Sequence, residues 1–293
     1  MRLTDNQRTW YHTINREFAD RADCTAGASI VFVTEETCFF LSYEVVSYCW
    51  STNVIDVLEN GIHTVSVRLP DMQSMETVII RRVTQGKALV ELILPNTCGM
   101  RIRALSVSEW EVPAQKPNKL LLLGDSILQG IHSYHPTSSL ANLLALELNA
   151  EMVNQSVGGG GFYPELLEPL SFVPDWIFVS MGINDVRAPM ENPAEPRIAA
   201  WFARLRALYP SQKVCAVTPI WNTRFLGEAG YQEKVEHIRG CIRQECEKWG
   251  IQVIEGDPLV PHVRSFFNED GLHPNDLGFQ CYTRGVLRQL KWK

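Results

Sequence analysis

A handful of side chains in this sequence have the types and spacing that acyl transfer requires. Ser126 stands in Gly124-Asp125-Ser126, directly after the apolar run Leu120 to Leu123. Asn184 stands in Gly182-Ile183-Asn184-Asp185, and Asp270 precedes His273 by three residues in Asp270-Gly271-Leu272-His273. Between them lies "VNQSVGGGGF", residues 153–162, with glycines at 158 to 161. A serine hydroxyl is a weak nucleophile until a base takes its proton, a second group orients that base, and donors meet the developing oxyanion. Ser126 supplies the hydroxyl, and His273 can take its proton. Asp270, on the same short loop, can reach the other ring nitrogen. The Ser126 and Gly159 N–H groups and the Asn184 amide are the candidate oxyanion donors. A glycine suits that role because it lets the backbone approach the reacting carbon.

Each feature alone has an ordinary structural reading. Asp125 or Ser126 could simply cap a turn. Asn184-Asp185 could be an Asx turn, and Asp270 and His273 could be surface residues before Pro274. The glycine run matches neither G-x-G-x-x-G nor G-x-x-x-x-G-K-[ST], which argues against a nucleotide cradle. It is the combination, in one chain, that points to chemistry.

Those residues need a frame, and the sequence predicts one. From residue 119, apolar strands ("KLLLL", "EMV", "DWIFVSMG", "KVCAVTPI", "IQVIEG") alternate with helical stretches ("TSSLANLLALELN", "EPRIAAWFARLRALY", "YQEKVEHIRGCIRQECEKW", "DLGFQCYTRGVLRQL"). Thr137 or Ser138 is the expected cap of the first helix. Near-continuous apolar strands alternating with helices predict a parallel sheet covered on both faces. Ligands bind such sheets beyond the carboxyl ends of the strands, where the candidate loops fall. Ahead of this, residues 29–108 read as about seven short strands without a helical period, which predicts a sandwich. Asn60-Gly61 suits a two-residue hairpin turn. The expected division is an all-β sandwich, jelly-roll-like, over 1–112, a Pro-containing linker over 113–118, and an α/β unit over 119–293.

With the motifs in view, residues 119–290 resemble the SGNH hydrolases of the GDSL esterase/lipase superfamily. Gly124-Asp125-Ser126, "NQSVGG" (154–159), Gly182-Ile183-Asn184-Asp185 and Asp270-Gly271-Leu272-His273 match its four blocks in order. The resemblance implies a flavodoxin-like α/β/α three-layer fold, Ser126 as nucleophile, and an acid–base pair of Asp270 and His273. It places the oxyanion donors on Ser126, Gly159 and Asn184, with Gly158 the alternative to Gly159. A β-sandwich ahead of such a unit is similar to the layout of two-domain carbohydrate O-acetyl esterases.

The implied activity is hydrolysis of short-chain, chiefly acetyl, esters of a carbohydrate through an acyl-enzyme. An acyltransferase shares that intermediate, and a lipase or thioesterase is the further alternative. A carbohydrate-binding protein with an inactive hydrolase unit is disfavoured because every catalytic residue type is present. Asp125, Gly158, Trp221 and Phe162 are candidate substrate contacts, together with Tyr163 and Tyr134. Arg187 and Arg224 could meet an acidic substrate, and His132 and His135 are expected to border the pocket. No metal or organic cofactor is required by this chemistry, and no cluster in the sequence suggests one.

Composition sets outer bounds. The 293 residues are 45% hydrophobic and 20% charged, with a formal net charge of −6. Nucleic-acid binding needs a clustered positive surface, which is not seen here. No apolar run reaches the ~18 residues of a membrane span. The charged N-terminus, "MRLTDNQRTWYHTINREFAD", is unlike a signal peptide. A cytoplasmic location is therefore expected, or a secreted one if a leader has been removed. The eight cysteines (24, 38, 49, 98, 215, 241, 246, 281) read as buried thiols rather than disulfides or a zinc site. The expected partner is a small-molecule or oligosaccharide ester. An exposed sheet edge in the first unit could pair two subunits.

Overall fold

The computed structural model describes residues 2–50, 53–69 and 75–292, so the outermost residues of both expected units, Met1 and Lys293, lie outside the described residues. After two short helices, α1 (Asp5–Ile14) and α2 (Arg16–Asp23), come seven strands: β1 (Ser29–Thr34), β2 (Cys38–Tyr48), β3 (Val54–Glu59), β4 (Ile62–Arg68), β5 (Glu76–Arg81), β6 (Ala88–Ile93) and β7 (Cys98–Leu105). They form two antiparallel sheets, in order β1-β6-β3-β4 and β5-β2-β7. Successive strands mostly cross from one sheet to the other, as in a jelly roll. Between the sheets Phe32, Phe39, Leu41, Tyr43, Ile55 and Val90 share one core. Alternation sends one side chain in two inward, which is why these strands are only half apolar. Asn60 (φ 52°) and Gly61 (φ 80°) form the expected hairpin turn between β3 and β4.

The second unit holds a five-stranded parallel sheet of β8 (Asn118–Gly124), β9 (Ala150–Asn154), β10 (Trp176–Ser180), β11 (Lys213–Val217) and β12 (Gln252–Ile254). Its order, β12-β11-β10-β8-β9, is the flavodoxin-like 2-1-3-4-5 arrangement. The four leucines of β8 are explained by layers on both sides. Leu121 and Leu123 face α5 (Ala194–Leu208) and α6 (Tyr231–Lys248). Leu120 and Leu122 face α4 (Leu140–Glu147) and α7 (Asp276–Gln289). Each fully buried leucine contributes roughly 1.5–3 kcal/mol. The strand order reverses between β8 and β10, and this switch point is where an open α/β sheet leaves a crevice.

Two expectations are corrected. The cap of α4 is Ser139, whose hydroxyl accepts from Asn142 N–H at 3.4 Å. Thr137 is diverted because its N–H and hydroxyl both donate to the Asp56 carboxylate of β3, at 3.1 and 2.7 Å. The cysteines are all free but not all buried: Cys38 is exposed, and Cys49, Cys241 and Cys281 are half-buried. Helix α1 had a legible start in Thr4-x-x-Gln7, a capping box in which each residue's side chain accepts from the other's N–H. Among the described residues no helix is long and apolar enough to cross a membrane.

Candidate active site

The abrupt change from leucine to Gly-Asp-Ser has a local cause. A Cβ at Gly124 would lie 2.5 Å from the Ser180 carbonyl oxygen of β10 and 2.8 Å from Leu128, so only glycine fits where the chain turns out of the sheet. Asp125 then caps the four-residue helix α3 (Ser126–Gln129), its carboxylate accepting from Ile127 N–H at 3.0 Å. Ser126 is thereby the second residue beyond the carboxyl edge of β8 and the first of α3.

His273 meets it from the other end of the sequence. Its Nε2 lies 2.7 Å from Ser126 Oγ, and its Nδ1 lies 2.5 Å from Asp270 Oδ2. The other Asp270 oxygen accepts from the Leu272 and His273 N–H groups at 3.0 and 3.1 Å. Burial alone would raise the Asp270 carboxyl, but the His273 hydrogen bond and charge and these two amides outweigh it and hold the group well below the usual carboxylate range. The loop is anchored by Asn268, whose side-chain amide donates to the His132 and Pro274 carbonyls at 3.1 and 2.9 Å. Asn275 then caps α7.

The glycine loop and the β10 loop close the third side. Gly158 N–H donates to Gln129 Oε1 at 2.6 Å, and Asn184 Nδ2 donates to the Gly160 carbonyl at 2.8 Å. The Gly158 amide is thus occupied, whereas the Ser126 and Gly159 N–H groups meet no acceptor among the described residues. Gly159 is held at φ +80°, with Phe18 and Arg21 of α2 over its α-carbon. Asn184 spends one amide hydrogen on Gly160 and keeps the second. Removing one oxyanion donor in a serine hydrolase costs ~100- to 1000-fold in turnover. Asn184→Ala is expected to fall in that range for ester hydrolysis at saturating substrate, with the unfolding temperature lowered only slightly by loss of the bond to Gly160. A near-wild-type rate would remove Asn184 from the donor set.

Three candidate substrate contacts are corrected by burial. Phe162 is 0% exposed, packed on Trp201 and Phe202, and Trp221 is 5% exposed, stacked on His262. An aromatic ring that forms core has no face left for a ligand. Asp125 is 1% exposed and occupied as a cap. Its burial, with the nearby Asp185 charge, pushes its carboxyl up to about 7. Asp185 is itself pushed up to about 6 by burial, although Arg197, at 3.0 Å, opposes the shift.

Asp125 gives a pH prediction with a definite sign. The folded chain holds this proton more tightly than the unfolded one, whose aspartates titrate near ~3.9. Its stabilising contribution is complete below about pH 4 and is lost as the pH rises through about 7. His132, held neutral by burial with its pKa down to about 4, works in the opposite sense over the same range. The clean measurement is therefore a difference. The unfolding temperature of Asp125→Asn relative to wild type should climb from pH 4 to pH 7, and a flat difference would contradict the buried acid.

Aromatic side chains do line the approach. His132, at φ +71°, stacks on His273 with centroids 4.6 Å apart, and its Nε2 is 3.4 Å from Asp270 Oδ2. Trp50, beyond β2, lies over His132 at 4.0 Å. Trp50, His132, Tyr134 and His135 help to line a groove of about 460 Å³. Nothing in the local sequence marks Trp50, which reaches the site from the other unit. Arg187 pairs with Glu228 at 3.0 Å. A larger cavity of about 880 Å³ lies between the sandwich and α4, and no member of the Ser126–His273–Asp270 relay lines it. The N-terminal arm belongs to the site as well: Leu3, Tyr11 and Ala22 pack on Val157, and the half-buried Arg2 donates through its guanidinium to the Ser156 carbonyl at 2.5 Å.

Comparisons with known proteins agree with this frame. The GDSL-like Lipase/Acylhydrolase family matches residues 122–281, more than half of the chain. Comparison with curated proteins gave no match. Among solved structures, the chain is similar to a salicylyl-acyltransferase from a tetracycline biosynthetic pathway, with a TM-score of 0.79 at 17% identity over 98% of this chain and 88% of that one. It is also similar to a family two carbohydrate esterase from Clostridium thermocellum (0.69, 15%, 91% and 92%). A third similar structure is an acetyl xylan esterase from the rumen bacterium Butyrivibrio proteoclasticus (0.63, 17%, 92% and 90%). At such identities the likeness is one of fold.

Proposed function

The chain belongs to the GDSL-like lipase/acylhydrolase family and is a carboxylic ester hydrolase of the SGNH type, and from that premise we propose that it cleaves short-chain acyl esters, acetyl esters first, on a carbohydrate. The observation that carries the reading is the Ser126–His273–Asp270 relay, with contacts of 2.7 and 2.5 Å. Ser126 Oγ attacks the ester carbonyl as His273 Nε2 takes its proton, while His273 Nδ1–H donates to Asp270. The Ser126 and Gly159 N–H groups and Asn184 meet the oxyanion. His273 then returns the proton to the leaving alcohol, and a water deprotonated by His273 releases the acid. Asp270 stays ionised throughout, stabilising the imidazolium.

Trp50 and Tyr134, 43% and 60% exposed, offer the ring faces on which a sugar can stack. Residues 1–112 act as an accessory unit that completes the groove through Trp50. Acetate release from a panel of acetylated saccharides, with Ser126→Ala as the blank, tests the reading. Equal rates in the two proteins would overturn it.

A second reading, acyl transfer to an alcohol, uses the same acyl-enzyme. It is supported by the likeness in fold, over nearly the whole chain, to the salicylyl-acyltransferase. Adding a sugar acceptor to the assay separates the two: a new ester formed at the expense of free acetate favours transfer.

A further inference from the structure

A second group of ligand-type side chains lies outside the Ser126 site, where the sandwich meets the loop after the nucleophile. Asp56 comes from β3, His63 and Ser66 from β4, and His135 from the segment between α3 and α4. Asp56 Oδ1 is 3.3 Å from His63 Nε2 and 3.2 Å from His135 Nδ1. Ser66 Oγ is 2.8 Å from that same oxygen, 2.9 Å from His63 Nε2 and 3.3 Å from His135 Nδ1. The two imidazole nitrogens, within 4.8 Å of each other, supply the last edge of a small tetrahedron. Nitrogen and oxygen ligands ~2.0–2.1 Å from a tetrahedral zinc ion stand ~3.3 Å from one another. The five measured edges, 2.8–3.3 Å, are close to that spacing.

We propose that Asp56, His63 and His135, with Ser66 or a water as fourth ligand, form a zinc site that ties the β-sandwich to the active-site loop. Two imidazoles and one carboxylate suit zinc, whereas magnesium and calcium call for six or more oxygens. The supporting shell is in place. Asp56 is 0% exposed, and its second oxygen is held by the Thr137 N–H and hydroxyl, which leaves Oδ1 for the ion. His63 is exposed and His135 half-buried, so an ion can reach the site from solvent. The site joins β3 and β4 to His135, three residues beyond the His132 ring that stacks on His273. It is independent of the acyl chemistry.

The same contacts could also be made without an ion, by His63 Nε2–H and His135 Nδ1–H donating to Ser66 and Asp56. Zinc uptake separates the two. The full chain, stripped with a chelator, is titrated with zinc sulfate by calorimetry, and bound zinc is counted after gel filtration. One equivalent is expected in the wild type and in His273→Ala, a control needed because His132, Asp270 and His273 also bring ligand atoms within 4.8 Å of one another. That equivalent should be lost in His63→Ala and in His135→Ala. Thr137→Val, which removes one bond to Asp56, should weaken binding by about 10- to 100-fold. Zinc should raise the unfolding temperature of the wild type but not of His63→Ala. Cobalt at the site should give the visible bands of a four-coordinate ion. No stoichiometric zinc in the wild type, or uptake that survives both histidine substitutions, would overturn the proposal.

Discussion

Ser126→Ala and His273→Ala are each expected to lower ester turnover by about 10⁴- to 10⁶-fold, the range seen when a serine hydrolase loses its nucleophile or base. The reason is geometric. His273 Nε2 is placed 2.7 Å from the hydroxyl that we propose it deprotonates, and no other base has its ring nitrogen against Ser126 Oγ among the described residues. His132, although stacked on His273, directs its Nε2 toward Asp270. Because the two residues act as one unit, the double variant should be little slower than either single one. A fluorophosphonate probe should label the wild type at Ser126 and leave Ser126→Ala unlabelled. Ser126 opens the short helix α3 and His273 lies in a loop, and neither side chain forms core, so the unfolding temperatures should stay close to wild type. A folded Ser126→Ala protein with near-normal turnover would end the assignment.

Asp270→Asn is expected to lower turnover by about 10⁴-fold, the effect of such a change in a serine protease triad. The carboxylate has two tasks. Oδ1 accepts the Leu272 and His273 amides and shapes the loop, while Oδ2 accepts His273 Nδ1–H and leaves Nε2 free to act as base. An asparagine can keep the first task with its oxygen, but then presents an NH₂ group to Nδ1. That favours the tautomer with the proton on Nε2, facing the serine. The loop should therefore survive while the rate collapses. Acid stability supplies a second readout. Since the folded-state pKa of Asp270 lies below its unfolded value, the wild type holds this contribution above about pH 4 and loses it as the pH falls. Asp270→Asn should lack that part of the acid-side loss. A rate within tenfold of wild type would mean that Asp270 only braces the loop.

Much of this was readable from the chain itself. Four leucines before Gly-Asp-Ser mark a strand buried on both faces, because only a covered parallel strand dispenses with polar alternation. Asn60-Gly61 marked its hairpin, since two successive positive φ values leave few residue types to choose from. Ser126, Asn184, Asp270 and His273 were legible as candidates because, although each alone has an ordinary structural use, together they supply the parts that acyl transfer needs in loops beyond the strand ends.

Tertiary structure alone decided the rest. Whether Phe162 and Trp221 stack on a sugar or on their neighbours cannot be read from residue type, since aromatic rings serve both ends and only the packing of α5 and the His273 loop closes their faces. Gly158 and Gly159 are alike in sequence. The Gln129 side chain, 29 positions from Gly158, took one amide and left the other. Trp50 over His132, and Asp56 beside His135, 79 positions apart, are meetings of one unit with the other. Local periodicity reports which face of an element is buried; it carries no record of what another element brings to that face.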